Sequence, residues 1–304
     1  MIPGHASPAS TARGAARFPA LAAAGFYRQA AGLTVSSLGM GTYLGAPDEP
    51  TDRAYTEAAL AAMAGGVNWF DTAINYRHTR SERALGAAIA QSGRREELVV
   101  STKAGFLTPG AVPATLRPED VAGGIHSIAP DFLSDQVARS RAHLNLETID
   151  ILYLHNPETQ LGYVARAEFD GRLRAAFARL EELVARGWIR HYGVATWQGF
   201  LTPGQLALGR LLELAVAAAG PAHHFQCIQL PYNLAITAGA GVVQEAARLG
   251  IVAVASATLL QGRLLRQAAA AEAIAFTRRA PGIAVALVGM SSAAHVAENL
   301  GAVA

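Results

Sequence analysis

Eight times along this chain, a short and almost continuously apolar run gives way to a stretch with helical periodicity. The runs fall at 33–42, 67–71, 97–103, 149–155, 189–196, 226–233, 251–256 and 283–289. None alternates strictly between apolar and polar residues, as a sheet with one wet face would require. Runs such as "IDILYLH" and "IAVALVG" instead suit parallel strands covered on both faces. Parallel neighbours need a crossover, and each intervening segment can hold a helix. "TDRAYTEAALAAMAGG" reads as a helix capped by Thr51 or Asp52 and stopped at Gly65–Gly66. "SERALGAAIAQSG", "DFLSDQVARSRAHL" and "RLRAAFARLEELVARGW" follow the next three strands. "PGQLALGRLLELAVAAAG", with proline in its first turn, "GVVQEAARLG", "LLRQAAAAEAIAFTRRA" and "SAAHVAENL" follow the last four.

Eight strand–helix units point to a closed (β/α)₈ TIM barrel, a single α/β domain over 26–304. An open doubly wound sheet would need a glycine-rich turn leading straight into a helix after an early strand, and "GMGTYLG" leads into none. The first 25 residues, rich in Ala, Pro, Gly and Ser, read as a loose N-terminal extension.

Composition narrows the function. With 51% apolar and 16% charged residues, extended disorder is excluded outside the ends. The 25 basic and 23 acidic residues leave a net charge of +2 and form no dense Lys/Arg stripe, so no nucleic-acid partner is expected. Cys227 is the only cysteine, which excludes an intrachain disulfide framework and suits a reducing cytoplasm. No apolar run is long enough to span a membrane. His223 and His224 are adjacent and read as loop residues rather than ligands, so no metal site is expected.

In a barrel of this kind, reactive groups come from the C-terminal ends of the strands. Three successive runs end on ionisable residues, "VNWFD" on Asp71, "LVVSTK" on Lys103 and "ILYLH" on His155. These three face one another across the expected mouth, and Tyr76, in the loop after the second strand, reaches the same space. A phenol is a weak acid at neutral pH, and an adjacent ammonium favours its phenolate and eases proton donation. Asp71 is expected to pair with Lys103, and His155 to hydrogen-bond a substrate carbonyl. Such a site protonates an oxygen that is gaining negative charge.

The chain resembles the aldo-keto reductase family from about Phe26 to Leu300. The resemblance is carried by "GTY" (41–43), "DTAINY" (71–76), Lys103, "LHNPE" (154–158), "GVATW" (193–197), "QLPYNL" (229–234) and "LVGMSSAAHVAENLGA" (287–302), in the family's order. It implies a barrel that binds NADP(H) in extended form and reduces a small-molecule aldehyde or ketone. Tyr76 would be the general acid, Lys103 and Asp71 its partners, and His155 the substrate orienter. Gly41, Thr42 and Tyr43 would line the nicotinamide side together with Asp71, and Gln229 and Thr196 would meet the carboxamide. Ser256 would also contact the cofactor, Gly262 and its neighbours would approach the pyrophosphate, and Ser291, Ser292, His295, Glu298 and Asn299 the adenosine end.

The chain departs from relatives in several places. Ala195–Thr196 stands where many have Ser-Asn, and Ala255 aligns with a residue that is usually aromatic and stacks on nicotinamide. His295 stands where an arginine grips the 2′-phosphate; Ser291 and Ser292 remain as neutral donors, and NADPH is favoured over NADH. The connection between the seventh and eighth strands reads as short, with little loop to cover a cofactor. Two other readings are a nicotinamide-binding regulatory subunit with little turnover and a non-redox barrel lyase or isomerase.

Overall fold

The computed structural model describes residues 1–303. Its barrel strands are β3 (Leu38–Gly41), β4 (Trp69–Asp71), β5 (Val99–Ala104), β6 (Ile149–His155), β7 (Ile189–Ala195), β8 (Phe225–Pro231), β9 (Val252–Ser256) and β10 (Ile283–Gly289). They pair in parallel in sequence order, and β10 closes on β3, so the expected (β/α)₈ barrel is the observed fold. The helices that follow them are α3 (Glu49–Ala64), α4 (Arg80–Ser92), α5 (Pro130–Leu144), α6 (Arg166–Ala185), α7 (Leu208–Ala219), α8 (Ala240–Arg248), α9 (Ala270–Arg279) and α10 (Ala293–Gly301).

The near-continuous hydrophobicity of the strands has a plain cause. Trp69, Val99, Tyr153 and Val254 fill the barrel interior, whereas Phe70, Val100, Leu154 and Ala253 pack under the helices. Both pleat faces are therefore dry, and alternation disappears from the sequence.

Several boundaries differ from the sequence reading. A hairpin, β1 (Tyr27–Ala30) with β2 (Leu33–Ser36), precedes the barrel, so the run 33–42 holds two strands. Asp48 caps α3 through Thr51 N, with Pro50 in the first turn, and displaces the cap expected at Thr51 or Asp52. Pro203 lies in a turn ahead of α7, which begins only at Leu208. Of the segment expected as one long helix after β9, residues 264–280, the first three residues end a 3₁₀ turn, Leu260–Arg266, and α9 begins only at Ala270, because Ala269 adopts extended backbone.

The first 25 residues are folded against the barrel and do not form a loose extension. They form α1 (Pro8–Ala16) and α2 (Pro19–Ala23) at the N-terminal end of the strands. Ala6 joins Leu33 and Val35 of the hairpin in the cluster that closes the barrel interior. Polar bonds fix the segment as well. Ala6 N donates to Asp150 Oδ1 at 2.7 Å, Ser10 Oγ to Glu96 Oε2 at 3.0 Å, and Ile2 N to the Asn145 carbonyl at 2.6 Å. Alanine-rich composition conceals this, because small side chains dock closely without a strong apolar periodicity. Among the described residues, no helix is long and apolar enough to cross a membrane.

Candidate active site

Strand register sets the floor of the site. Asp71 on β4 stands beside Ser101 on β5, and Lys103 lies two residues further along the same inward face. The Lys103 ammonium donates to Asp71 Oδ2 and, at 2.8 Å, to the Thr72 carbonyl. Asp71 Oδ1 accepts from Ser101 Oγ at 2.7 Å and from Gln229 Nε2 at 2.9 Å. Burial alone would lower the Lys103 pKa, but the Asp71 carboxylate and the Tyr76 phenol outweigh it and leave it above the ordinary lysine value. The site therefore holds a permanent ammonium.

Tyr76 sits above that ammonium, with Lys103 Nζ 4.7 Å from its ring centroid. Its pKa is raised by burial, pulled down by Lys103 and pushed up by Asp71, with a net displacement upward. Lysine thus offsets burial without overcoming it, which corrects the expected net lowering. The phenol stays protonated at neutral pH. After Tyr76 the chain makes three consecutive left-handed residues, Arg77, His78 and Thr79, none of them glycine. Such backbone persists where surrounding bonds enforce it. Here Arg77, buried over the Tyr55 ring, donates to the Ala46 carbonyl at 2.8 Å and to Asp52 Oδ1 at 2.5 Å.

His155 closes the third side. Its ring centroid is 5.9 Å from that of Tyr76 and 5.1 Å from that of Phe106. Burial, then the charge of Lys103, holds its pKa well below the ordinary histidine value, so the imidazole is neutral. Its Nδ1 is buried without a protein partner. Tyr43 meets Tyr76 edge-on at 4.9 Å, and Trp197 lines the same space.

One cavity of about 660 Å³ runs from this floor to the N-terminus of α10. The expected positions Gly41, Thr42, Tyr43, Thr196, Gln229, Ser256 and Gly262 all line it, as do Ser291, His295, Glu298 and Asn299. Two expected residues do not. Lys103 is sealed beneath Asp71 and Tyr76, and Ser292 turns its hydroxyl to cap α10 at His295 N, 3.2 Å away. Ser291 Oγ lies 3.3 Å from His295 Nδ1. Ala255 packs on the helix-facing side of β9, and Ser256 takes the cavity position. The connection after β9 is not bare, since Ala257, Thr258, Gln261 and Leu265 also line the cavity.

Three contributors lie outside the sequence-derived set. Ser101 could have been found by parity, being two residues before Lys103 on one strand. Glu158 Oε1 accepts from the Thr196 hydroxyl and from the N–H groups of Trp197, Gln198 and Gly199 at 3.1–3.2 Å. Thr196 therefore has its proton committed away from the cavity, which no local pattern signals. The third, His126, lies in an aperiodic segment. Among the described residues there is no cluster of three metal-ligating side chains.

Comparison with known proteins agrees with this geometry. Over 186 residues the chain is 35% identical to D-threo-aldose 1-dehydrogenase of a Pseudomonas species, covering 55% of this chain and 52% of that protein. Over 167 residues it is 26% identical to a protein of Arabidopsis thaliana named a probable voltage-gated potassium channel subunit beta, covering 55% and 44%. The matches thus span about half the length of these curated relatives. An aldo/keto reductase from Klebsiella pneumoniae, solved with NADP and acetate, matches at a TM-score of 0.66 and 20% identity, covering 89% of this chain and 87% of that one; it shows the fold alone. The model of the Aldo/keto reductase family matches residues 37–272, from the residue before β3 into α9. With its barrel matched from the first strand almost to the last, the chain belongs to the aldo/keto reductase family.

Proposed function

We propose that the protein is an NADP(H)-dependent reductase of uncharged aldehydes or ketones, with Tyr76 as general acid. The observation that carries this reading is the placement of Tyr76 between a buried ammonium and a neutral imidazole on the wall of one cavity. The residues present fit a nicotinamide dinucleotide. Gln229 spends its Nε2 on Asp71, which leaves Oε1 to accept from a carboxamide, and the cavity extends to the N-terminus of α10, where backbone N–H groups suit a phosphate.

When bound, a reduced nicotinamide supplies hydride to the carbonyl carbon. His155 donates a hydrogen bond to the carbonyl oxygen and fixes its angle. Tyr76 Oη gives its proton to that oxygen as the C–O bond gains negative charge, and Lys103 stabilises the phenolate left behind. A phenol that stays protonated at neutral pH suits this direction. Alcohol oxidation runs the same steps backwards, with the phenolate as base.

Tyr43, Leu44, Phe106 and Trp197 form an apolar mouth, and among the described residues no lysine or arginine lines the cavity at this end, away from the α10 N-terminus that suits a phosphate. Substrates without carboxylate or phosphate are therefore favoured. The Arabidopsis relative's name supports a second reading, a cofactor-binding regulatory subunit with little turnover. A panel of neutral and anionic carbonyls, assayed with NADPH and NADH separately, decides between them. Oxidation of NADPH with neutral carbonyls is expected; tight NADPH binding without oxidation by any carbonyl would favour the regulatory reading.

A further inference from the structure

Behind His155, away from the cavity, lies a chain of four polar groups in which chemistry fixes every proton. Arg172 Nη1 on α6 lies 2.7 Å from Gln160 Oε1, and a guanidinium can only donate, so the Gln160 amide orientation is set. The other end of that amide, Nε2, lies 2.9 Å from His126 Nδ1 and must donate to it. His126 Nδ1 is therefore the acceptor, and its proton sits on Nε2. That nitrogen lies 2.7 Å from the backbone carbonyl of His155, which can only accept. His126 and Gln160 are both completely buried, and burial pushes the His126 pKa down to about 4, so the ring is neutral in the working range.

The surrounding backbone is built around this contact. Gly105 passes so close that a Cβ there would lie 2.7 Å from both His126 Nε2 and the His155 carbonyl oxygen, closer than real atoms come. Phe106, the next residue, packs edge-on against both imidazoles, at 5.2 Å from His126 and 5.1 Å from His155. His126 is held in turn by pairing with Phe106 and Ala122 across the loop. The loop after β5 is thereby pinned to the end of β6 at a residue expected to touch substrate.

We propose that His126, locked as the Nε2–H tautomer by Gln160 and Arg172, is a positioning residue that fixes the His155 carbonyl and so aims the His155 imidazole at the substrate. The proposal rests on the reading of His155 as the substrate orienter. His126 does not touch substrate itself; its effect passes through His155.

The test is a double-mutant cycle on kcat/KM for the best carbonyl of the panel, with NADPH affinity measured in parallel. His126→Phe keeps the ring and removes the donor, and His126→Gln restores an amide N–H near the Nε2 position. His126→Phe should lower kcat/KM about tenfold, the size of one lost neutral hydrogen bond, with NADPH affinity unchanged and His126→Gln recovering most of the loss. In a His155→Ala background the same substitution should cost less than about twofold. Equal losses in both backgrounds, or no loss in either, overturn the proposal. If the wild type reduces no carbonyl with either nicotinamide, the functional reading fails, and ¹⁵N NMR of the imidazoles decides the positioning proposal separately. His126 should show the neutral Nε2–H pattern in the wild type, and His126→Phe should shift or broaden the His155 ring resonances. An unchanged His155 ring would overturn it.

Discussion

Asp150 and Asp71 are both buried carboxylates paired with a buried cation, one at each end of the barrel. Asp150, at the N-terminal end, accepts from Ala6 N at 2.7 Å, Val100 N at 2.8 Å and Arg95 Nη2 at 2.7 Å. Arg95 then donates to the carbonyls of Leu98 and Thr148, and the network ends in backbone. Asp71, at the C-terminal end, accepts from Ser101, Gln229 and Lys103, but two of these partners lead onward to the cavity. Gln229 lines it, and Lys103 underlies Tyr76. Burial and pairing do not separate a structural carboxylate from a functional one. What separates them is where the partners lead, to backbone carbonyls at Asp150 and to groups that line or underlie the cavity at Asp71.

The comparison breaks most clearly at Tyr76. Tyr76→Phe keeps the ring and removes the transferred proton, so carbonyl reduction should fall by about 10²–10⁴-fold while NADPH binding and Tm stay near wild type. Near-normal reduction by this variant would remove the cavity end from the comparison. At the other end, Asp150→Ala strands Arg95 and two N–H groups in a dry site. It should cost about 3–5 kcal/mol in urea unfolding and leave kcat of the folded fraction unchanged. A selective loss of kcat with normal stability would show that the closed end is not merely structural.

Acid should weaken both ends. Burial holds His191, on β7 at the N-terminal end, and His126, behind the mouth, at a pKa of about 4. Unfolded histidines protonate near 6.5, so between about pH 6.5 and 4 the unfolded chain binds more protons than the folded one. The stability these neutral rings permit is complete above about pH 6.5 and is lost as pH falls towards 4. After allowance for its partial exposure, His191 should account for about 2 kcal/mol. His191→Gln should therefore narrow the gap between urea midpoints measured at about pH 7.5 and pH 5. An unaltered gap would assign the acid sensitivity to other groups.

The smallest expected effect lies at the far end of the cavity. His295→Arg places a permanent charge with paired donors where the 2′-phosphate is expected, and should tighten NADPH about three- to tenfold with NADH nearly unchanged. An equal change for both cofactors would place His295 away from that phosphate.

The barrel was legible because each strand is dry on both faces, and eight such runs leave few alternatives. The floor of the site was legible for a related reason: Asp71, Lys103 and His155 interrupt apolar runs at one common end. Ser101 obeys the same parity, but a serine in a strand carries no contrast. Elements stabilised by contacts remote in sequence stayed hidden. The N-terminal segment binds Glu96, Asn145 and Asp150; Thr196 turns to Glu158; His126 meets the end of β6 from a loop without periodicity. The net upward displacement at Tyr76 also escaped a reading of charges alone, because depth of burial is a property of the assembled mouth.

The segment that closes the lower end of the barrel has a consequence for the order in which the chain matures. Residues 2–10 leave the ribosome before everything they bind, since their partners lie at Glu96, Asn145 and Asp150. Arg28, in the hairpin, waits longer still, because it donates to the carbonyls of Arg278 and Ile283. Closing such long loops costs entropy before any contact repays it, so docking of these elements belongs late in folding. During synthesis the hairpin is a two-stranded ribbon without its full covering surface, because the cluster that buries Leu33 and Val35 is complete only with Val285 and Leu287 of β10. The hairpin's apolar face is thus exposed to aggregation until the later strands are made, and a chaperone that binds nascent apolar segments would find a target there.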